Sequence, residues 1–446
     1  MGKRAWLYSA GAFALMSAMC LAGPAGAMTL QEAAQLAVKT NPSVTAIGND
    51  RLAVDQELRQ GRALYYPSVD LTSDAGGEFT SNPTTLANGN DNGITLFRSD
   101  VTVTATQLLF DGFFADNEVE RQKARVRSAA YRVLETAEDV ALQAVQAYLD
   151  VQRQRIRVAL AEENVQVHRD RLGQVTQKQQ AGAGNIADVR QTEARLATAQ
   201  SELIQVQGEL RDAETNFAKV VGQAPDTLTD VAPPLDLMPT DINQAVKNAL
   251  STSPTLQLAR ADIEAADALM DQQDSPFYPD VRLQLSGGES HNTGGIEGEN
   301  WDATALVVMK WNLYRGGGDT AKLREFKHRL AETQDVYVDD ERKITEETRV
   351  SWNSVMTSHE NVVVLQKTVQ ANIQTRDAYI KQFDIGQRGL LDLLNEDNEL
   401  YLSKDNLVSA TFAETFARFR LLAVSGGLEQ ALSVTPPDQA ALPVDQ

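Results

Sequence analysis

Tyr65-Tyr66-Pro67-Ser68-Val69-Asp70-Leu71 is answered later in the chain by Phe277-Tyr278-Pro279-Asp280-Val281-Arg282-Leu283. Thr40-Asn41-Pro42 is likewise answered by Thr252-Ser253-Pro254, at the same spacing of 212 residues. Further along the spacing becomes 204: Leu109-Phe110-Asp111-Gly112 matches Leu313-Tyr314-Arg315-Gly316, and Gly182 and Asp188 match Gly386 and Asp392. Val220-Val221-Gly222 matches Val424-Ser425-Gly426 at that second spacing. Several short motifs repeating at one period mark a duplication. The first half is longer by eight residues between Leu71 and Leu109, where a surface loop tolerates insertion. The chain reads as tandem repeats at 28–222 and 241–426, joined at 223–240 by a linker holding Pro225, Pro233, Pro234 and Pro239.

Proline placement draws the elements. None of the 14 prolines falls within 84–224 or 280–435, so both stretches can hold long unbroken helices. Val126, Ala130, Val133, Ala137, Val140, Ala144, Ala147 and Val151 step by four and three, which is a heptad seam. Val189 to Val220 and Leu393 to Val424 carry similar steps. The pattern predicts helices over 112–180, 185–222, 316–385 and 389–425, each repeat opening with a lead-in helix. An antiparallel coiled coil turning at Ala181-Gly182-Ala183-Gly184 accounts for the local pattern, while the alanine content favours close approach of many helices. Before each long helix the period changes to two. Val69 and Leu71, then Val101, Val103 and Ala105, alternate around a Gly/Asn/Thr-rich loop from Gly76 to Gly93. Val281, Leu283 and Leu285, then Ala303, Ala305, Val307, Met309, Trp311 and Leu313, alternate around a loop from Ser286 to Asn300. These runs predict strands at 67–80, 94–110, 279–287 and 301–314. Each is long enough to cross a bilayer when tilted, with Phe110, Trp311 and Tyr314 where an interfacial aromatic girdle would lie. Four strands cannot close a barrel, so a membrane reading requires strands pooled between subunits. A soluble sheet packed on helices stays open at this point.

The 446 residues carry a net charge of −20, which argues against a nucleic-acid partner needing a basic surface. Lys3 and Arg4, the apolar run Ala5 to Leu21, and Ala25-Gly26-Ala27 form a cleavable export leader at 1–27. Cleavage there removes Cys20, the chain's one cysteine. No later stretch reaches the length of a membrane helix. Catalysis finds no foothold: there is no G-x-S-x-G elbow, and Gly316-Gly317-Gly318 lacks the lysine-serine pair of a phosphate loop. Adjacent acidic pairs such as Glu162-Glu163 and Asp339-Asp340 point to different helix faces. His168 has no histidine counterpart, its repeat position being Asn372, and is expected to be packed or facing a lumen. No cofactor, metal or enzymatic activity is expected.

Taken together, the repeated Asn/Ser-Pro and Tyr-Pro segments, the Phe110-Asp111-Gly112 and Tyr314-Arg315-Gly316-Gly317 junctions and the two turn segments resemble the TolC-type outer-membrane factors. The turn segments are Ala181-Gly182-Ala183-Gly184-Asn185-Ile186-Ala187-Asp188-Val189 and Ile385-Gly386-Gln387-Arg388-Gly389-Leu390-Leu391-Asp392-Leu393. The resemblance spans about Thr29 to Gly427. It implies a mainly α fold with β: a trimeric β-barrel, four strands per protomer, in the outer membrane of a Gram-negative bacterium. A coiled-coil α-barrel would continue it through the periplasm. It further implies a periplasmic gate at Phe383, Arg388, Asp392 and Asn395, and adaptor-docking tips at Gly182, Gly184, Asp188, Gly386 and Gly389. Phe110, Gly112, Tyr314 and Gly316 would make the strand-to-helix junctions. The chain departs from the family's usual pattern at Phe383, which lacks a tyrosine hydroxyl, and at Asn395, often acidic, for which Glu396 is the substitute. Segment 427–446 is expected to be a flexible tail.

The implied function is passive export through a homotrimer. Its partners would be outer-membrane lipid, a periplasmic membrane-fusion adaptor and an inner-membrane pump, either an ABC exporter or an RND pump. A type I polypeptide-secretion role leads over multidrug efflux. A non-pore periplasmic coiled coil is the alternative of a different class.

Overall fold

The computed structural model describes residues 27–90 and 92–442. The leader assignment at 1–27 lies outside the described residues except for Ala27.

Each repeat opens with two helices where one was expected. Helices α1 (Leu30–Thr40) and α2 (Pro42–Ala63) meet at Asn41, as α6 (Ile242–Thr252) and α7 (Pro254–Gln272) meet at Ser253. Proline has no N–H to continue a helix and forces the residue before it out of the α region. Asn41 and Ser253 accordingly sit at ψ 127° and 121°. Their side chains then cap the next helix, accepting from the Ser43 and Leu256 N–H groups.

Strands β1 (Ser68–Thr80), β2 (Ile94–Phe110), β3 (Asp280–His291) and β4 (Glu299–Lys310) form one antiparallel meander in that order. A short helix, α3 (Pro83–Ala87), sits in the β1–β2 loop. Strands β3 and β4 run further into their connecting loop than side-chain alternation indicates. Ser290 faces Asn300 and His291 faces Glu299, because ladder hydrogen bonds are made by the backbone and do not need apolar side chains. At the other end β4 stops at Lys310, short of the expected 314. Its partner begins at Asp280, just after Pro279, so residues 311–314 have no strand to pair with.

Register divides the sheet into two chemistries. Leu71, Val103 and Gly287 lie in one row, and Val69, Ala105 and Leu285 in the next. Gly287 and Leu285 continue these rows to Ala303 and Ala305, beside Leu283 opposite Val307 and Val281 opposite Met309. The alternate rows carry Asp70, Thr104 and Ser286, then Thr72, Thr102 and Gly288. One face is mainly oily, interrupted by Ser73, Gln107 and Glu289, and the other mainly polar, with Leu306 and Val308 in its last strand. Val69, Leu71, Val103, Leu285, Val307 and Met309 of the oily face are exposed in a single protomer. Among the described residues no helix is long and apolar enough to cross a membrane.

The long helices are α4 (Phe114–Gln180) and α8 (Gly318–Asp384), each 67 residues, returning as α5 (Ile186–Val221) and α9 (Leu390–Val424). At ~1.5 Å per residue α4 and α8 each span about 100 Å. Halfway along α4 lies the main core, where α1 packs on Val140, Ala144, Tyr148 and Val151 of α4 and on Phe217 and Val221 of α5. The Tyr148 hydroxyl is 2.7 Å from the Met28 carbonyl and 2.8 Å from that of Thr229, pinning the linker.

The segment after Gly427 does not trail free. Helix α10 (Leu428–Leu432) and Val434 bury Leu428, Leu432 and Val434 in that same core. Gln35 also exchanges two hydrogen bonds with the Thr435 backbone, at 2.7 and 3.3 Å. Apolar side chains one turn apart and a satisfied backbone explain why residues 428–435 pack instead of forming the expected tail.

Two outcomes follow. Val103→Arg, on the oily face, should cost about 2–4 kcal/mol of unfolding free energy in lipid, while Thr104→Arg on the polar face costs little. Urea titration in vesicles would measure both. Beside the main core, burial pushes the Glu138 carboxyl up to about 8, with Glu429, Asp139 and Glu135 adding like charge. The folded state therefore holds a proton that the unfolded chain has released. Stability is full below the ordinary value of 4.5 and is lost as pH rises through about 8. Thermal midpoints should fall across that window, and Glu138→Gln should flatten the fall.

Candidate functional site

The two helical hairpins end side by side. At the first tip Gly182 adopts φ +75°, and its N–H donates to the Gln179 carbonyl at 3.0 Å. Gly184 lies so close to the preceding helix that a Cβ there would meet the Gln179 nitrogen at 2.8 Å. Asn185 caps α5 by accepting from the Ala187 N–H, and Asp188 follows in the first turn, where its charge suits the helix dipole. The second tip repeats the design: Gly386 takes φ +76°, Gly389 starts α9, and Asp392 occupies its first turn.

The four expected gate residues fall into three different settings. Arg388 and Asp392 meet at 3.5 Å across one helical turn, and Arg388 Nε donates to Gln382 at 3.3 Å. The Arg388 guanidinium also lies 4.0 Å from the centre of the Tyr379 ring. Phe383 packs with Leu172 against Val175, Val189, Leu390 and Leu394, a plug drawn from both hairpins, and the Lys178 ammonium sits 4.1 Å above its ring. A phenyl ring suits this apolar setting, so the missing hydroxyl is replaced by packing and a cation–π contact. Asn395 accepts from Arg195 of α5 at 2.8 Å. One Glu396 carboxylate oxygen is buried without a partner in the protomer, and burial, followed by the charges of Glu399 and Asp397, raises its pKa.

Sequence reasoning missed the strongest links, which lie further up the hairpins. Arg171 of α4 pairs with Asp397 of α9 at 3.0 Å, with the Asp397 side chain only 1% exposed. Arg157 pairs with Asp405 at 2.7 Å and also with Glu209, and Glu163 meets Lys404 at 2.9 Å. His168, expected as packed or facing a lumen, is buried, and desolvation lowers its pKa while the Asp397 charge opposes that shift. Apart from Arg157 and Glu209, these paired residues are more than 200 positions apart in sequence. Heptad position places each on a helix face without naming its mate.

At the strand-to-helix junctions Gly112 has φ +71°, and a Cβ there would meet the Ser275 carbonyl oxygen at 2.8 Å. Phe110, Phe113 and Tyr278 make three edge-to-face contacts, with ring centres 5.5, 6.0 and 6.4 Å apart. Asp111 accepts from the Ala115 N–H at 2.9 Å, closing the first turn of α4. Gly316 and Gly317 make the corresponding left-handed turn, and Tyr314 projects outward. Among the described residues no group of three or more His, Cys, Asp or Glu is placed to hold a metal ion.

A family model described as outer membrane efflux protein matches residues 33–223 and 245–427, one match per repeat. The chain is 26% identical over 330 residues to the outer membrane efflux protein BepC of Brucella suis, covering 73% of this chain and 72% of that one. It is 25% identical over 185 residues to the alkaline protease secretion protein AprF of Pseudomonas aeruginosa, covering 41% and 38%. The outer-membrane channel OprN superposes with a TM-score of 0.75 at 19% identity, over 89% of this chain and 90% of that one.

Asp397→Ala should destabilise the hairpin pair by about 3–5 kcal/mol, because it strands Arg171 as a buried unpaired charge. Asn395→Ala, at an exposed contact, should cost under about 1 kcal/mol. Hydrogen exchange of the α9 amides would separate the two.

Proposed function

The chain belongs to the outer membrane efflux protein family, and from that membership we propose that it is the outer-membrane exit duct of a tripartite export system. The observation that carries the reading is the four-stranded sheet, oily on one face and unpaired at both edges, leading directly into two 67-residue helices. In hydrocarbon every backbone group must be paired, so the free edges of β1 and β4 join copies of the chain. Eight strands make a barrel whose interior side chains fill it, whereas three copies supply twelve and leave a passage lined by the polar face. The hairpins continue that passage as a ring of helices through the periplasm. Their tips are where a membrane-fusion adaptor and an inner-membrane pump engage it. Flow is passive, driven by the pump.

The glycine-rich turns at Gly182, Gly184, Gly386 and Gly389, with Asp188, give the adaptor a rigid tip to grip. Phe383, Arg388, Asp392 and Asn395 hold the pore end closed. For the cargo, the proposal is a polypeptide handled by a type I system, supported by similarity to a relative named for alkaline protease secretion. Similarity to a relative named as an efflux protein favours small molecules as the second reading. Disrupting the gene separates them: loss of a secreted polypeptide from the medium supports the first, and drug hypersensitivity with normal secretion supports the second.

Detergent-purified protein should weigh as a trimer and give small conductance steps in planar bilayers. A monomer that neither inserts nor conducts would sink the duct reading. Arg388→Ser with Asp392→Ala should raise conductance roughly fivefold, the shift given by ~1 kcal/mol of lost closing contacts. Unchanged conductance would remove these residues from the gate.

A further inference from the structure

Resting on the duct reading above, the duplication exposes an asymmetry between two kinds of seam. Within the protomer, α4 of the first hairpin packs along α9 of the second. The repeat spacing of 204 carries α4 onto α8 and α9 onto α5. In a ring built from three copies, each α4–α9 seam inside a protomer therefore alternates with an α8–α5 seam between protomers.

The first seam is tied by three ion pairs: Arg171–Asp397, Arg157–Asp405 and Glu163–Lys404. Carrying those residues to their repeat positions replaces Arg171 and Asp397 by Thr375 and Glu193. Arg157 and Asp405 become Asn361 and Ser201, and Glu163 and Lys404 become Lys367 and Gln200. None of the three replacement pairs joins opposite charges. In the protomer, Asn361, Lys367, Gln200 and Ser201 are exposed, and the Thr375 hydroxyl is turned back to the Ala371 carbonyl at 2.9 Å.

We propose that the ion pairs Arg171–Asp397, Arg157–Asp405 and Glu163–Lys404 latch the two hairpins of one protomer into a single four-helix body, and that the tip opens by parting the seams between protomers. The latch residues position the hairpins and do not themselves line the aperture. A half-exposed pair contributes little, but breaking the pair at Asp397 strands a buried charge, so the latched seam is the costly one to open.

Bridged cysteines test this in the conductance-raised Arg388→Ser/Asp392→Ala background. Arg171→Cys with Asp397→Cys, joined by a short bis-maleimide, staples the seam inside each protomer. Thr375→Cys with Glu193→Cys, treated the same way, staples the seam between protomers and yields a covalent trimer on denaturing gels. The expected result is that the first staple keeps the raised conductance and the second returns it to the closed level. Loss with the first staple, or retention with the second, overturns the proposal. As a variant without reagents, Thr375→Arg places a guanidinium at the repeat position of Arg171, toward Glu193 of the partner subunit. It should lower conductance in the same background, and an unchanged value counts against the proposal. If the unstapled background does not conduct and the Thr375→Cys/Glu193→Cys variant gives no covalent trimer, the duct reading itself fails, and this inference with it.

Discussion

An N–H or C=O group placed in hydrocarbon without a partner costs several kcal/mol, and a sheet edge presents a whole row of them. The meander of β1 to β4 has two such edges, so the sheet is complete only when other copies of the chain supply its neighbours. Much else in the molecule serves that requirement. The strict register that gathers Val69, Leu71, Val103, Ala105, Leu283, Leu285, Ala305 and Val307 on one face keeps the outside of the closed barrel dry. The polar rows of Asp70, Thr104 and Ser286 are thereby committed to the inside, because a slip of one residue would exchange the faces.

The junctions transmit this geometry to the helices. Gly112, held against the Ser275 carbonyl, and the aromatic trio of Phe110, Phe113 and Tyr278 fix the angle at which α4 leaves β2. From there α4 and α8 run without interruption, α4 packing alanine and valine along its buried stripe and α8 packing valine, serine and threonine, so helices can approach closely without a bulky core. A ring of this kind has little interior to bury. Its stability rests on the main core halfway along and, toward the tips, on ion pairs made across hairpins.

Much of this was readable from the residues. The duplicated motifs, the proline-free stretches and the change of period from seven to two placed the long helices and the sheet. Pro42 and Pro254 mark the breaks that divide each lead-in into two helices. The β3–β4 loop is shorter than alternation suggests because Gly287, Gly288 and Ser290, poor strand formers, are held in place by their partners. The packing after Gly427 is not legible in the sequence because Leu428 and Leu432, a single pair one turn apart, do not specify what they pack against. At the tips, the turn glycines and Asp392 were legible from their motifs. Tyr379 beneath Arg388, the Phe383 plug and the Arg171–Asp397 pair were not, since each depends on a contact between helices that sequence spacing leaves undefined.

Leu428, Leu432 and Val434 join α1 in a core built mainly from the first repeat. The earliest-made part of the molecule is therefore finished by some of the latest. A chain interrupted anywhere before that segment would leave the apolar flank of α1 and α4 uncovered in the periplasm, visible to proteases and chaperones. Chain completion is thus checked by the core itself: only a molecule delivered through Val434 has the sealed middle from which the barrel on one side and the hairpins on the other can be aligned for assembly.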